Sequence, residues 1–314
     1  MEKYLDVIKS VVIGHAVADA VGVPVEFKTR EKLDNAPVTD MREFGTHNMP
    51  KGTWSDDTSM LLATLDSLAC GSVDYEDIME KFAAWCTKDA CTVDYMFDIG
   101  RTCLVAITRS FSSHKVPALE CGLDDEGSNG NGSLMRIAPF VLYSHIYNLP
   151  LSERIELIKN GSALTHAHDR SKMGCLIFSF VLDELIKEQS PDSIARGLAL
   201  ANQNLNSYPE FVTYKRIFEP NFADTPRDKI KSSGYVVDTL EAALWCVLTT
   251  NDYKSCVLKA VNLGDDTDTV AAVAGSLAGL LYGYAGIPEE WRRDLKKRDY
   301  IEDMCTWAYM SWTH

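Results

Sequence analysis

Two short stretches carry the residues best suited to chemistry. Near the C-terminal end stands Asn262-Leu263-Gly264-Asp265-Asp266-Thr267-Asp268-Thr269, with three carboxylates in four positions and no Lys or Arg close by to offset them. Far upstream, Gly52-Thr53-Trp54-Ser55-Asp56-Asp57-Thr58 repeats the combination of a hydroxyl with adjacent carboxylates. Each stretch stands where a helix should begin. An N-cap, with acids favoured at the positive end of the helix dipole, accounts for one or two Asp residues. It accounts less well for three plus two Thr hydroxyls, and hard divalent cations want this set of oxygen ligands. Two such helix starts in one chain are what a two-metal, oxygen-ligand site requires.

Other residues invite weaker readings. Glu26 lies between Val25 and Phe27 on a loop leaving an apolar helix. It is a solvated loop acid or, with apolar neighbours raising its pKa, a catalytic one. Asp98 stands three residues before Arg101 and reads equally as an ion pair, a cap or a catalytic carboxylate. The loop Gly127-Ser128-Asn129-Gly130-Asn131-Gly132-Ser133 allows backbone N–H groups to turn toward a ligand, with the positive end of the following helix behind them. It is a plausible diphosphate cradle, although it lacks the spacing of a dinucleotide fingerprint and the Lys of a P-loop. His166 and His168 are two apart, so only an extended segment lets both reach one ligand.

The elements that must position these residues read as helices. Residues 4–22 form a first helix with a small-residue line at Gly14, Ala18 and Gly22, and Pro24 ends it. A second helix runs from the Ser55 region to about Ala69, two more fall in 74–110, and others cover 151–163, 172–187 and 234–245. Residues 204–233, with Pro209, Pro220 and Pro226, read as a surface excursion. The uncharged run Val270 to Ile287, with Ala271, Gly275, Gly279 and Gly283 every fourth residue, reads as a central helix closely approached by another. Few stretches alternate like strands. The expectation is an all-α chain, and its length alone would allow two domains.

Bulk properties narrow the function. A net charge of -14 over 314 residues argues against binding a nucleic-acid backbone. It leaves room for an anionic small ligand, because backbone N–H groups and bound cations supply local positive potential. The nine Cys include no C-x-x-C pair, so neither a disulfide framework nor a zinc site is suggested. The N-terminus has no signal-peptide character, and a cytoplasmic monomer that neither spans nor binds a membrane is expected.

Taken together, five stretches resemble the ADP-ribosylglycohydrolase family, in the family's order and across nearly the whole chain. They are Asp19 to Glu26, Gly52 to Met60, Gly130 to Arg136, Gly234 to Leu240 and Gly264 to Thr269. The resemblance implies that residues 1–314 form one orthogonal all-α domain, with two Mg2+ or Mn2+ ions in a cleft held by Ser55, Asp56, Asp57, Asp266, Asp268 and Thr269. It implies Glu26 and Asp98 as further active-site carboxylates, an ADP-ribose loop of Gly130, Asn131, Gly132 and Ser133, and a substrate lining that includes His166 and Tyr235. Ser55 stands where Thr is usual, Ala18 replaces a common Gly, and Asp265 replaces a second Gly. The implied function is metal-dependent hydrolysis releasing ADP-ribose from a modified protein, at arginine by first expectation. Two other classes stand beside it: a hydrolase of free ADP-ribose derivatives or nucleotides, and a catalytically silent binding or structural member. Cleaving the glycosidic bond needs a held sugar, an activated water and help for the leaving group. Arg101 would keep Asp98 ionised if both share a helix, which suits Asp98 to positioning substrate and leaves Glu26 as the acid–base residue.

Overall fold

Two apolar helices run antiparallel with their backbones touching, and the rest of the chain wraps them. They are α1 (Glu2–Gly22) and α12 (Thr267–Tyr282). An ideal Cβ on Gly275 would lie 2.5 Å from the Gly14 carbonyl and 2.4 Å from the Ala18 methyl, and one on Gly22 would lie 2.4 Å from the Asp268 Cα. Side chains there would push the helices apart, so glycine sets the spacing. The computed structural model describes residues 2–313 and contains no strand among them, so the all-α expectation holds. β-type pairing is limited to isolated bridges at Phe44–Met49, Leu123–His166 and Gly130–Tyr235.

Between the central helices in sequence lie α2 (Arg30–Asn35), α3 (Asp56–Leu68), α4 (Tyr75–Lys88), α5 (Arg101–Phe111), α6 (Ala138–Ile146) and α7 (Leu151–Ala163). Then come α8 (Asp169–Lys187), α9 (Pro191–Leu205), α10 (Val236–Leu248) and α11 (Tyr253–Val261). Two more, α13 (Glu289–Asp294) and α14 (Arg298–Thr313), close the chain. Helices α10 and α11 pack on α12, while α3 and α14 pack on α1. The stretch Tyr4–Val25 is as long and apolar as a membrane span, but 94% of its apolar window is buried inside the fold. One continuous apolar core runs through the described residues.

Two expectations change. The uncharged run is not one helix to Ile287, because α12 ends at Tyr282 and Gly283 leaves it with φ 74°. Gly283 therefore terminates the helix and takes no part in the small-residue contact with α1. The 204–233 excursion also does more than cover surface. It folds into 3-10 turns at Pro209–Phe218, Phe222–Asp224 and Arg227–Lys229, and returns Phe211, Tyr214, Ile217, Phe222 and Ile230 to the core.

Candidate active site

The two acidic helix starts meet because α1 and α12 are antiparallel. Gly22 at the end of α1 lies against Asp268 in the first turn of α12, and α3 enters beside them. Ser55 caps α3, its Oγ accepting from the Asp57 N–H at 3.3 Å. The whole turn is then gripped by Asp19 of α1, which is fully buried. Asp19 accepts from the Ser55 N–H (3.0 Å), the Thr58 N–H (3.1 Å) and the Thr58 hydroxyl (2.6 Å). Asp19 was not among the site residues expected from sequence. An acid in a largely apolar helix three residues before Gly22 is a signal that could have found it.

Three of the carboxylate ligand candidates share one pattern. Asp57 Oδ2 accepts from the Ser55 and Thr269 hydroxyls, and its Oδ1 has no partner. Asp266 Oδ2 accepts from Asn131 Nδ2 at 2.8 Å, and its Oδ1 has none. Asp268 Oδ1 accepts from the Thr269 N–H at 3.0 Å, and its Oδ2 has none. Among the described residues, these are the only buried carboxylate oxygens without a hydrogen-bond partner. Buried polar atoms are ordinarily paired. One oxygen of each carboxylate is thus fixed by the protein and the other left free, as oxygen ligands for a hard cation would be.

The charge balance agrees. Among the described residues no Lys or Arg forms an ion pair with Glu26, Asp56, Asp57, Asp98, Asp266 or Asp268; the one basic side chain paired with any of them is His47. Burial, then the charge of Asp57, raises the Asp56 carboxyl well above its ordinary range. Burial, then Asp19, does the same to Asp57, and burial, then Glu26, to Asp268. Burial holds Asp19 at about 6 against the hydrogen bonds it accepts. So many mutually repelling carboxylates need protons or cations. The residues present fit a divalent metal centre.

Above this floor opens a cleft of about 420 Å³. Its lining includes Glu26, Asp56, Asp98, Gly130, Asn131, Gly132, His166, Asp266 and Thr269. Ser55, Asp57 and Asp268 lie just beneath. Glu26 Oε2 is 2.5 Å from His47 Nε2, and Asp98 Oδ2 is 3.9 Å from the same nitrogen. Burial pushes Glu26 up to about 11, with Asp98, Asp266 and Asp57 adding to it. His47 was not anticipated. It is delivered by a tight turn in which Phe44, Gly45 and Asn48 all have positive φ, and nothing in sequence marks that geometry.

Asp98 does not share a helix with Arg101. It has φ 61° in the connection before α5, whose N-cap is Gly100, and its charged neighbours are Glu26 and His47. The expected Asp98–Arg101 pairing is therefore absent, since a left-handed residue cannot continue a helix. The glycine loop also differs from expectation. Turns follow it, and α6 begins only at Ala138; the N-terminus of α5, at Gly100 to Cys103, lines the cleft instead, beside those of α3 and α12. The loop is held instead by the Asn131 N–H donating to the Gly234 carbonyl (3.0 Å) and the Val236 N–H donating to that of Asn129 (3.0 Å).

Within the loop, Ser133 is fully buried. Its hydroxyl accepts from Ser162 and lies near Cys175, turned into the core and away from the cleft. Tyr235 caps α10, and its neighbour Gly234 lines the cleft while Tyr235 does not. The two histidines part company. His166 faces the cleft, whereas His168 caps α8, accepting from the Arg170 N–H. Asp265, exposed with φ 60°, supplies no ligand atom to the cleft. Asp is one of the few residue types besides Gly that tolerates this conformation.

Comparison with known proteins places this arrangement. The sequence profile of the ADP-ribosylglycohydrolase family matches residues 1–314. The chain is 33% identical over 302 residues to the ADP-ribosylarginine hydrolase Tri1 of Serratia proteamaculans, covering 96% of this chain and 78% of that one. It is 32% identical over 289 residues to the ADP-ribosyl-[dinitrogen reductase] glycohydrolase of Rhodospirillum rubrum, covering 89% and 86%. A solved structure described as an ADP-ribosylglycohydrolase-related protein complex superposes with a TM-score of 0.83 at 29% identity, covering 100% of both chains.

Proposed function

We propose a detailed function from one premise: the chain belongs to the ADP-ribosylglycohydrolase family. It is a glycosyl hydrolase, and its reaction class is hydrolysis of ADP-ribose from modified protein. The finer reading is that it acts on ADP-ribosyl-arginine and works with two divalent cations, Mg2+ or Mn2+. Similarity to ADP-ribosylarginine hydrolases supports the acceptor. The free, buried oxygens of Asp57, Asp266 and Asp268 carry the metal reading.

Ser55, Asp56, Asp57, Asp266, Asp268 and Thr269 would hold the ions. When bound, such cations would supply orientation for ribose hydroxyls and a more acidic water. The residues of the chain do the rest. Gly130, Asn131 and Gly132 bring backbone close to the diphosphate, and His166 adds a side-chain contact. Asp98, at the cleft wall, holds a ribose hydroxyl. Glu26, kept protonated by burial and neighbouring carboxylates, gives its proton to the leaving guanidine nitrogen as the C1″–N bond breaks. The water oxygen bonds to C1″ and its proton returns to Glu26. His47, 2.5 Å from Oε2, fixes the direction of that carboxyl.

One observation favours a second assignment. Glu26, Asp266 and Asp268 each offer an oxygen within 4.8 Å of the others, so Glu26 could ligate an ion and leave the proton transfer to Asp98. Hydrolysis of arginine-, serine- and nucleic-acid-linked ADP-ribose in Mg2+, Mn2+ and chelator tests the function. Arginine-linked turnover lost in chelator is expected, and full turnover in chelator or none on arginine would overturn it. Glu26→Gln with unchanged catalytic pH limbs but lowered metal content would transfer the acid role to Asp98.

A further inference from the structure

We infer that Arg136 and Thr165 are positioning residues that hold the proton of His166 on Nε2, so that the ring presents a fixed N–H donor to an oxygen of bound ADP-ribose. The identity of that ligand rests on the function proposed above; the assignment of the proton does not.

Arg136 is fully buried and has no carboxylate partner among the described residues. Its guanidinium stacks over Phe82 at 4.9 Å, and Nη1 donates to the Gly161 carbonyl at 3.0 Å. A buried cation without a counter-ion is unusual and calls for a purpose. Its second branch supplies one: Nη2 donates to Thr165 Oγ1 at 2.7 Å. Arginine can only donate, so Thr165 Oγ1 must accept there. The single proton on that oxygen is then available for His166 Nδ1, 2.9 Å away.

The other acceptor near this hydroxyl is the thiol of Cys103, which burial pushes up to about 12 and so keeps protonated. A thiol sulfur accepts weakly, whereas a neutral imidazole nitrogen accepts well. Nδ1 therefore accepts, and the ring proton sits on Nε2. Burial, followed by the charge of Arg136, keeps the ring uncharged.

The ring is itself fixed. The Leu123 N–H donates to the Thr165 carbonyl (3.1 Å) and the Ala167 N–H to that of Leu123 (2.8 Å), pinning the backbone on both sides of His166. Nε2 has no hydrogen-bond partner among the described residues and faces the cleft beside Gly130, where an ideal Cβ would lie 3.4 Å from it. A donor that never changes charge suits a site that must hold the same ligand over a range of pH.

The experiment is a long-range 1H–15N correlation on labelled full-length protein, with the His166 signals assigned by their loss in His166→Asn. Wild type should show Nε2 protonated and Nδ1 as the acceptor. Thr165→Val should mix the two tautomers and weaken ADP-ribose binding by about tenfold, raising KM with kcat little changed. Thr165→Ser should restore both. Wild type with its proton on Nδ1 overturns the inference, as does Thr165→Val with wild-type spectrum and affinity. If Thr165→Val does not fold, the wild-type spectrum and Thr165→Ser decide. An Nε2–H ring in a protein that does not bind ADP-ribose overturns the ligand and leaves the tautomer standing.

Discussion

Asp268→Asn should stabilise the metal-free protein while destroying its response to metal. Oδ1 accepts from the Thr269 N–H and an amide oxygen can do the same, whereas Oδ2 bonds nothing in the protein. The exchange therefore loses no protein hydrogen bond. It does remove a charge from a crowded place. With Glu26, Asp266 and Asp268 offering oxygens within 4.8 Å of one another, each ionised pair repels by roughly 3.5 kcal/mol at an effective dielectric near 20. Two such repulsions, roughly 7 kcal/mol, exceed the roughly 4 kcal/mol of protonating a carboxyl of ordinary pKa at pH 7. The metal-free cluster thus takes up protons and keeps a strain of about that size. Asp268→Asn should relieve about 2–4 kcal/mol of it, a rise of roughly 3–6 °C in Tm for a chain of 314 residues. The pH dependence follows in sign. A carboxyl raised in the folded state stabilises fully below its unfolded pKa, and that stability is lost as pH rises toward the folded value. Chelated wild type should weaken from about pH 4 upward, and the variant should weaken less. The assay is thermal denaturation in chelator from pH 5 to 8, repeated in excess Mn2+, where wild type gains Tm and the variant gains little. A variant that melts below wild type in chelator, or shows the same pH slope, refutes the reasoning.

Asp19→Ala leaves the Ser55 and Thr58 N–H groups and the Thr58 hydroxyl without their acceptor. It should cost about 3–5 kcal/mol by chemical denaturation and weaken metal binding although Asp19 is no ligand, and a loss under about 1 kcal/mol would remove its positioning role. A Cβ on Gly132 would come within 2.7 Å of Cys103 Sγ and 2.9 Å of His166 Cε1. Gly132→Ala should therefore destabilise before any ligand is considered, and adding Cys103→Ala should recover part of the loss; strict additivity of the two in a double-mutant cycle would show that the sulfur is not the obstacle.

The all-helical fold and the two acidic helix starts were legible because both are local. Period and capping chemistry mark a helix within a dozen residues, and acids without nearby cations mark a ligand set. Glu26, Asp98, Gly130, Asn131, Gly132 and His166 line one cleft with Asp56, Asp266 and Thr269. What sequence could not supply was long-range. Asp19 is 36 positions from the Ser55 N–H it holds, and Asn131 is 135 from Asp266. His47 reaches Glu26 only through a turn with three residues of positive φ, and pattern does not encode such a turn. Ser133 reads as a loop residue but is anchored by Ser162, 29 positions on, so its hydroxyl belongs to the core.

The register between the proposed acid and the metal ligands is set by backbone, not by the side chains that do the chemistry. The Phe27 N–H donates to the Asp265 carbonyl at 2.7 Å, and the Asp265 N–H donates to that of Lys28 at 2.9 Å. Glu26 and Asp266 thus each stand one residue from a two-bond clamp joining segments more than two hundred positions apart. Both clamped residues, Phe27 and Asp265, have φ near +60°, a conformation that a bulky residue such as Phe keeps only when its surroundings enforce it. The neighbouring side chains are therefore free of a structural duty to each other. Glu26 can hold or release a proton, and Asp266 can offer Oδ1 to an ion, without either change loosening the segment that carries it.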